Sequence, residues 1–158
     1  MIEVVTDIYA PAELCFDLAR DINLHIESTA GTGEKAVGRV QTGLIDLGEE
    51  VTWEATHFGI RQRLTSRITQ FDRPWHFRDS QVRGAFRRFD HDHYFMVECG
   101  TTVMRDAFDY EPPLGLLGQL ADFCFLNSYM TRLLRKRALV IKAAAETSQL
   151  GNHTKRNS

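Results

Sequence analysis

The feature that most limits what this chain can fold into runs from residue 113 to about 146. There Leu116, Leu120, Phe123, Leu126, Met130, Leu133 and Val140 recur at steps of three, four and seven. That spacing places them on one stripe of a single long helix. Gln119, Asp122, Asn127, Arg132, Arg135, Lys136 and Lys142 fall on the other side, which suits water. A helix with one wide apolar face needs a large surface to cover it. Residues 34–110 read as nearly unbroken strand and turn, and they are the surface on offer. The architecture expected is therefore α+β, a curved antiparallel sheet wrapped around a long C-terminal helix. Such a pairing does not close completely, so it tends to leave a cavity.

The remaining elements follow from local pattern. Residues 2–9, rich in Val, Ile and Thr, predict a first strand, which Ala10-Pro11 ends. Leu14, Cys15, Leu18 and Ala19 give the apolar face of a short helix opened by Pro11, and Asp21 caps a second one over residues 22–27. Six strands are then expected over residues 35–44, 49–58, 60–71, 76–83, 87–98 and 102–110, which makes a seven-stranded sheet. Hairpin-like connections throughout make it antiparallel. One domain over residues 1–147 and a flexible polar tail over 148–158 complete the layout.

Composition excludes several functions. A formal net charge of -2 leaves no basic footprint for nucleic acid. The three cysteines, Cys15, Cys99 and Cys124, have neither metal-like nor framework spacing, and buried free thiols in a cytoplasmic protein are expected. No signal peptide and no membrane span is expected. No nucleophile elbow, phosphate loop or dinucleotide fingerprint is present.

Chemistry enters through strand parity. In the sixth strand Phe89, His91, His93, Phe95 and Val97 share a face, and Phe95 and Val97 mark it as the inner one. By the same argument Phe77 carries Asp79 and Gln81 inward, Met104 and Phe108 carry Asp106, and Val51, Trp53 and Ala55 carry His57. Buried polar groups must pair with each other, with water or with a ligand. A His beside an Asp is also the arrangement that tunes a general base near neutral pH. His-x-His on one strand face sets two imidazoles roughly 6.5–7 Å apart along the backbone, a spacing that holds zinc or iron where His57 or Asp106 completes the shell. A self-satisfied structural network explains the same residues equally well.

The opening run Ile8-Tyr9-Ala10-Pro11-Ala12-Glu13-Leu14-Cys15-Phe16-Asp17-Leu18 and the acidic helix start Asp21-Ile22-Asn23-Leu24-His25 resemble the START-related (SRPBCC) superfamily, whose fold is the helix grip. Gly48-Glu49-Glu50-Val51-Thr52-Trp53, His57-Phe58-Gly59, Gln81-Val82-Arg83-Gly84-Ala85-Phe86, His91-Asp92-His93-Tyr94-Phe95 and Pro112-Pro113-Leu114-Gly115 resemble its small bacterial polyketide cyclase/dehydrase-like members. The resemblance implies a helix-grip ligand-binding domain, and it brings neither a metal nor a cofactor with it, so none is expected.

The function expected is binding of a small, mostly hydrophobic molecule (a lipid, quinone or polyketide-like compound) in the internal cavity. Trp53, His57, Leu64, Phe77, Asp79, Gln81, Phe95, Phe108, Phe123 and Met130 would form its walls, with Leu133 and the edge residue Tyr129 beside them. The alternative is a cofactor-independent cyclase or dehydratase, a lyase in which His91, His93 and Asp106 act as acid, base and orienting group. A third reading, a chaperone touching membranes transiently, rests on an apolar patch around residues 114–117. A homodimer is compatible with the sequence, and stable membrane insertion is not expected.

Overall fold

The computed structural model describes residues 1–57, 59–112 and 125–156, the last five by backbone alone. Strand β1 (Ile2–Ile8) leads into helices α1 (Ala12–Ala19) and α2 (Ile22–Ser28) and a 3-10 turn at Ala30–Thr32. Then come β2 (Lys35–Val37), β3 (Glu50–His57), β4 (Ile60–Asp72), β5 (His76–Arg83), β6 (Arg88–Glu98) and β7 (Thr101–Glu111), and finally helix α3 (Asn127–Arg156). The strands form one antiparallel sheet in the order β1-β7-β6-β5-β4-β3-β2. The sheet curls around α3, which packs along β1 and against α1 and α2. Among the described residues no helix is long and apolar enough to cross a membrane.

Period-two alternation does what the sequence predicts in the central strands. Every second residue of β7, from Thr102 to Tyr110, is buried. The core centres on Phe16 of α1, which is fully buried. Its ring meets Phe71 and Phe77 edge-on at 5.2 Å and Phe95 at 5.5 Å. Asp21 caps α2 as expected, its Oδ1 accepting from the backbone N–H of Asn23 and Leu24 at 2.8 and 3.2 Å.

Four features differ from expectation. The second strand stops at Val37 instead of running to residue 44. The chain beyond it finds backbone partners at the α1–α2 junction, where Ile22 N–H donates to Gly43 and Ile45 N–H donates to Arg20. The buried stripe of α3 is Leu134, Ala138, Ile141 and Ala145. Alanines at two of these positions bring the helix axis close to the sheet, and a search for large apolar residues passes over them. Helix α3 also continues to Arg156, past the expected end near residue 146. A lone Gly151 costs about 1 kcal/mol and does not stop a helix. Finally, Cys99 is exposed in the β6–β7 turn at a positive φ of 51°, whereas Cys15 is buried. Cys124, Phe58 and the helix pattern over residues 113–124 lie outside the described residues.

The outer face of the sheet holds charge inside hydrogen bonds. Glu54 is buried because Arg61 and Arg63 close over it. Asp92 is likewise buried, bound by Arg78 through two bonds of 2.8 Å and by His76 at 2.7 Å. Val97, expected inside, sits near the end of β6 and is exposed.

Removing the hub of the core is expected to dominate stability. Phe16→Ala should lower the unfolding free energy by about 3–5 kcal/mol in urea titration. Leu139→Ala, on the exposed side of α3, should change it by less than about 0.5 kcal/mol.

Candidate functional site

Between the concave face of the sheet and α3 lies a cavity of about 600 Å³. Aromatic and aliphatic side chains dominate its wall: Trp53, Leu64, Phe86, Phe89 and Phe108 from the sheet side, Leu126, Met130, Leu133 and Leu134 from the helix side. A pocket of this size and character is typical of small-molecule sites.

The polar centre of the wall is built by register. Asp79 on β5 lies opposite His91 on β6, and His93 lies opposite Asp106 on β7. Register shifts occur between β4 and β5, at Thr69 and near Val82, but the pairing of β5, β6 and β7 has none. Parity therefore carries all four side chains inward.

These four groups form one network. His93 Nδ1 lies 2.6 Å from Asp106 Oδ1, and His93 Nε2 lies 3.1 Å from Asp79 Oδ1. The His93 ring stacks on Phe77 at 4.2 Å. His91 packs against His93 at 3.9 Å and meets Phe108 edge-on. Its Nδ1 is 3.7 Å from Asp79 Oδ1 and its Nε2 is 3.4 Å from Asp106 Oδ1, but Nε2 makes no aligned hydrogen bond.

The charge states follow from burial set against pairing. Burial opposes protonation of His93, yet its bonds to Asp106 and Asp79 outweigh that and raise its pKa. Burial and the neighbouring His93 push His91 down to about 4. Burial would raise both carboxyls, but the histidines facing Asp106 hold it well below the usual carboxylate range. His93, His91 and the positive field of Arg137 do the same for Asp79. Pairing thus favours the charged forms of His93, Asp79 and Asp106, whereas burial beside His93 favours the neutral form of His91.

The site residues expected from sequence do not all reach the cavity. Trp53, His57, Leu64, Asp79, His91, Phe108 and Met130 line the cavity, as do Tyr129 and Leu133. His93 and Asp106 lie behind the wall, at 0% and 2% exposure. Phe77 and Phe95 belong to the core under Phe16, with Phe77 also bordering a separate void of about 50 Å³. Gln81 turns away and donates from Nε2 to the carbonyl of Phe86 at 2.8 Å. That bond folds the β5–β6 connection back beside Gly84, where a Cβ would meet Leu64 Cδ1 at 2.2 Å. Phe123 and the patch over residues 114–117 lie outside the described residues.

Sequence reasoning missed a second polar group in the wall. His25 stacks on Trp53 at 4.1 Å, with its Nε2 3.4 Å from Glu34 Oε1. Burial would raise Glu34, but His25, Thr29 and His57 lower it below its ordinary value. Nearby, His57 Nδ1 and the Tyr129 hydroxyl share a hydrogen bond of 2.7 Å. Glu34 precedes a three-residue strand and His25 lies in a seven-residue helix, so neither carries a periodic signal.

No protein-family model and no curated protein matches this chain. Solved structures do. The Thermus thermophilus protein TTHA0849 superposes with a TM-score of 0.69 at 20% identity, over 91% of this chain and 98% of its own. A START superfamily protein from Mycobacterium smegmatis gives 0.66 at 10% identity, over 92% and 97%. This is the START-like helix-grip fold. Two further solved structures share it. Major latex-like protein 151 of Panax ginseng gives 0.66 at 16% identity, over 91% of this chain and 95% of its own. The di-domain ARO/CYC protein StfQ of the steffimycin biosynthetic pathway gives 0.59 at 18%, over 94% and 46%. The START-like architecture sets where the cavity lies, and the residues lining it are this chain's own.

The buried pair offers a direct test. Asp106→Asn leaves His93 without the anion that favours its charged form and should lose about 3–5 kcal/mol of stability in urea titration. Adding His93→Gln to that variant should recover part of the loss, because both groups are then neutral. A loss under about 1 kcal/mol for Asp106→Asn would show that His93 is neutral in the folded protein.

Proposed function

We propose that this protein binds a small, mostly hydrophobic molecule in the cavity between the sheet and α3. The observation that carries the reading is a cavity of about 600 Å³ with an apolar wall and a carboxylate, Asp79, presented within it. Asp79 is 20% exposed, and among the described residues its contacts with His91 and His93 all use Oδ1, which leaves Oδ2 to accept from a ligand donor. An ionised acceptor favours a molecule carrying a hydroxyl, such as a hydroxylated polyketide-like compound or a lipid alcohol, over a quinone, which offers only acceptors. Glu34 and the His57–Tyr129 pair supply a second polar stretch for a far end of the ligand.

The rival reading, a cofactor-independent cyclase or dehydratase, needs a proton acceptor of useful basicity in the wall. His91 occupies the wall, but its lowered pKa of about 4 makes it a weak base. His93 is the more basic ring, and both its nitrogens are engaged by carboxylates behind the wall. These features favour carriage over acid–base turnover.

Nile red fluorescence, together with native mass spectrometry of the freshly purified protein, tests the proposal. The wild type should carry a co-purified mass or bind the dye at micromolar concentration. Leu133→Trp, which fills the cavity from α3, should weaken binding by about tenfold or more while the protein remains folded by circular dichroism. Neither cargo nor dye binding in the wild type, or equal dye affinity in the filled variant, would refute the cavity as a binding site.

A further inference from the structure

Three donor atoms converge where β5 pairs with β6. Asp79 Oδ1 lies 3.1 Å from His93 Nε2 and 3.7 Å from His91 Nδ1. All ligand atoms of the trio fall within 4.8 Å of one another. Donors bonded to one ion at about 2.0–2.2 Å sit about 3–3.5 Å apart, a spacing that lies between the 3.1 Å and 3.7 Å separations from Asp79 Oδ1.

Two further observations point the same way. His91 Nε2 is buried and makes no hydrogen bond, although Asp106 Oδ1 faces it at 3.4 Å. The same Asp106 oxygen lies 2.6 Å from His93 Nδ1. One carboxylate thus stands behind both rings, at the nitrogen of each that points away from the trio. Carboxylates in that position hold ligating imidazoles in the correct tautomer and orientation.

We propose that Asp79 Oδ1, His91 Nδ1 and His93 Nε2 form a two-histidine, one-carboxylate site for a divalent transition-metal ion, with Asp106 as the positioning residue for both rings. The mixture of imidazole and carboxylate donors suits Zn²⁺, Fe²⁺ or Co²⁺, and not the all-oxygen preferences of Ca²⁺ and Mg²⁺. The ion takes the place of the proton shared between His93 Nε2 and Asp79, and that proton leaves to solvent. His93 Nδ1–H and His91 Nε2–H then both donate to Asp106. Asp79 and His91 line the cavity, whereas His93 and Asp106 do not. The open coordination position therefore faces the cavity. Sequence reasoning identified the His-x-His pair but looked for its third ligand in His57 or Asp106. The third ligand is Asp79, the cross-strand neighbour of His91.

The inference goes beyond the binding reading and does not depend on it. Its test uses the full chain after chelator treatment and dialysis, titrated with Co²⁺ by visible absorption and with Zn²⁺ by calorimetry. One ion per chain with a micromolar or tighter Kd is expected. His91→Gln and Asp79→Ser, each checked for folding by circular dichroism, should weaken binding by about 100-fold or more. Asp106→Asn, where it folds, should weaken it by about 10–100-fold. His76→Gln, on the outer face of the sheet, should leave it unchanged. Absence of binding at about 100 μM metal, or equal affinity in wild type and His91→Gln, overturns the proposal. Nile red is titrated into the same metal-free protein. Dye binding without metal binding overturns only the metal site, and metal binding without dye binding overturns only the carrier reading.

Discussion

The pairing of His93 with Asp106 is the interaction on which the rest of the structure depends. A carboxylate at 2% exposure cannot persist without a charged or hydrogen-bonding partner, and its cross-strand neighbour is that partner. A slip of one residue between β6 and β7 would turn His93 to the outer face and leave Asp106 opposite Asp92 or Tyr94. The pair therefore pins the register of the two central strands. Their register in turn places Phe95 beneath Phe16 and Phe108 in the cavity wall. Core packing and cavity shape follow from one buried electrostatic constraint.

The two faces of the sheet treat the same residue types differently. On the outer face Asp92 is held by Arg78 and His76, and Glu54 by two arginines. A guanidinium stays charged at every accessible pH, so those clusters are closed and self-sufficient. On the inner face, among the described residues, the carboxylates Asp79 and Asp106 are bonded by histidines alone, while Arg137 donates to the carbonyl of Ala19 and acts on Asp79 through its field. Imidazole is the one cationic partner that exchanges its proton readily for another occupant. The inner cluster is thus chemically open where the outer ones are closed, and it sits against the cavity.

Much of this was legible from residue pattern, and the reason is parity. Phe95, Met104 and Phe108 are large, apolar and spaced by two from His93 and Asp106, so they report the face those residues occupy. The long helix was legible for the same kind of reason, although Ala138 and Ala145 turned its buried stripe away from where large side chains predict it. The depth of a residue behind a wall has no periodic signature, so His91 in the wall and His93 behind it look alike in sequence. Glu34 and His25 meet only because the segment after α2 folds back over Trp53. That is a tertiary event without a local signal.

The register shifts at Thr69 and near Val82 show why the site survives irregularity around it. Both lie in the β4–β5 pairing, and neither position is a glycine, so turn chemistry gave no warning of them. A bulge increases local twist and bends its strand. Here the bends fall beside the cavity, where the sheet must curl to reach α3, while β5, β6 and β7 continue in unbroken pairing. Curvature and precision are thereby assigned to different strands. The flanking strands deform beside the cavity, and the central ones hold four ionisable groups within a few tenths of an ångström of bonding distance. A site built on loops would have to supply both from the same segments. Asp79 stands at the boundary, on the strand shared by the bent and the regular halves, and so borders both the cavity and the buried network.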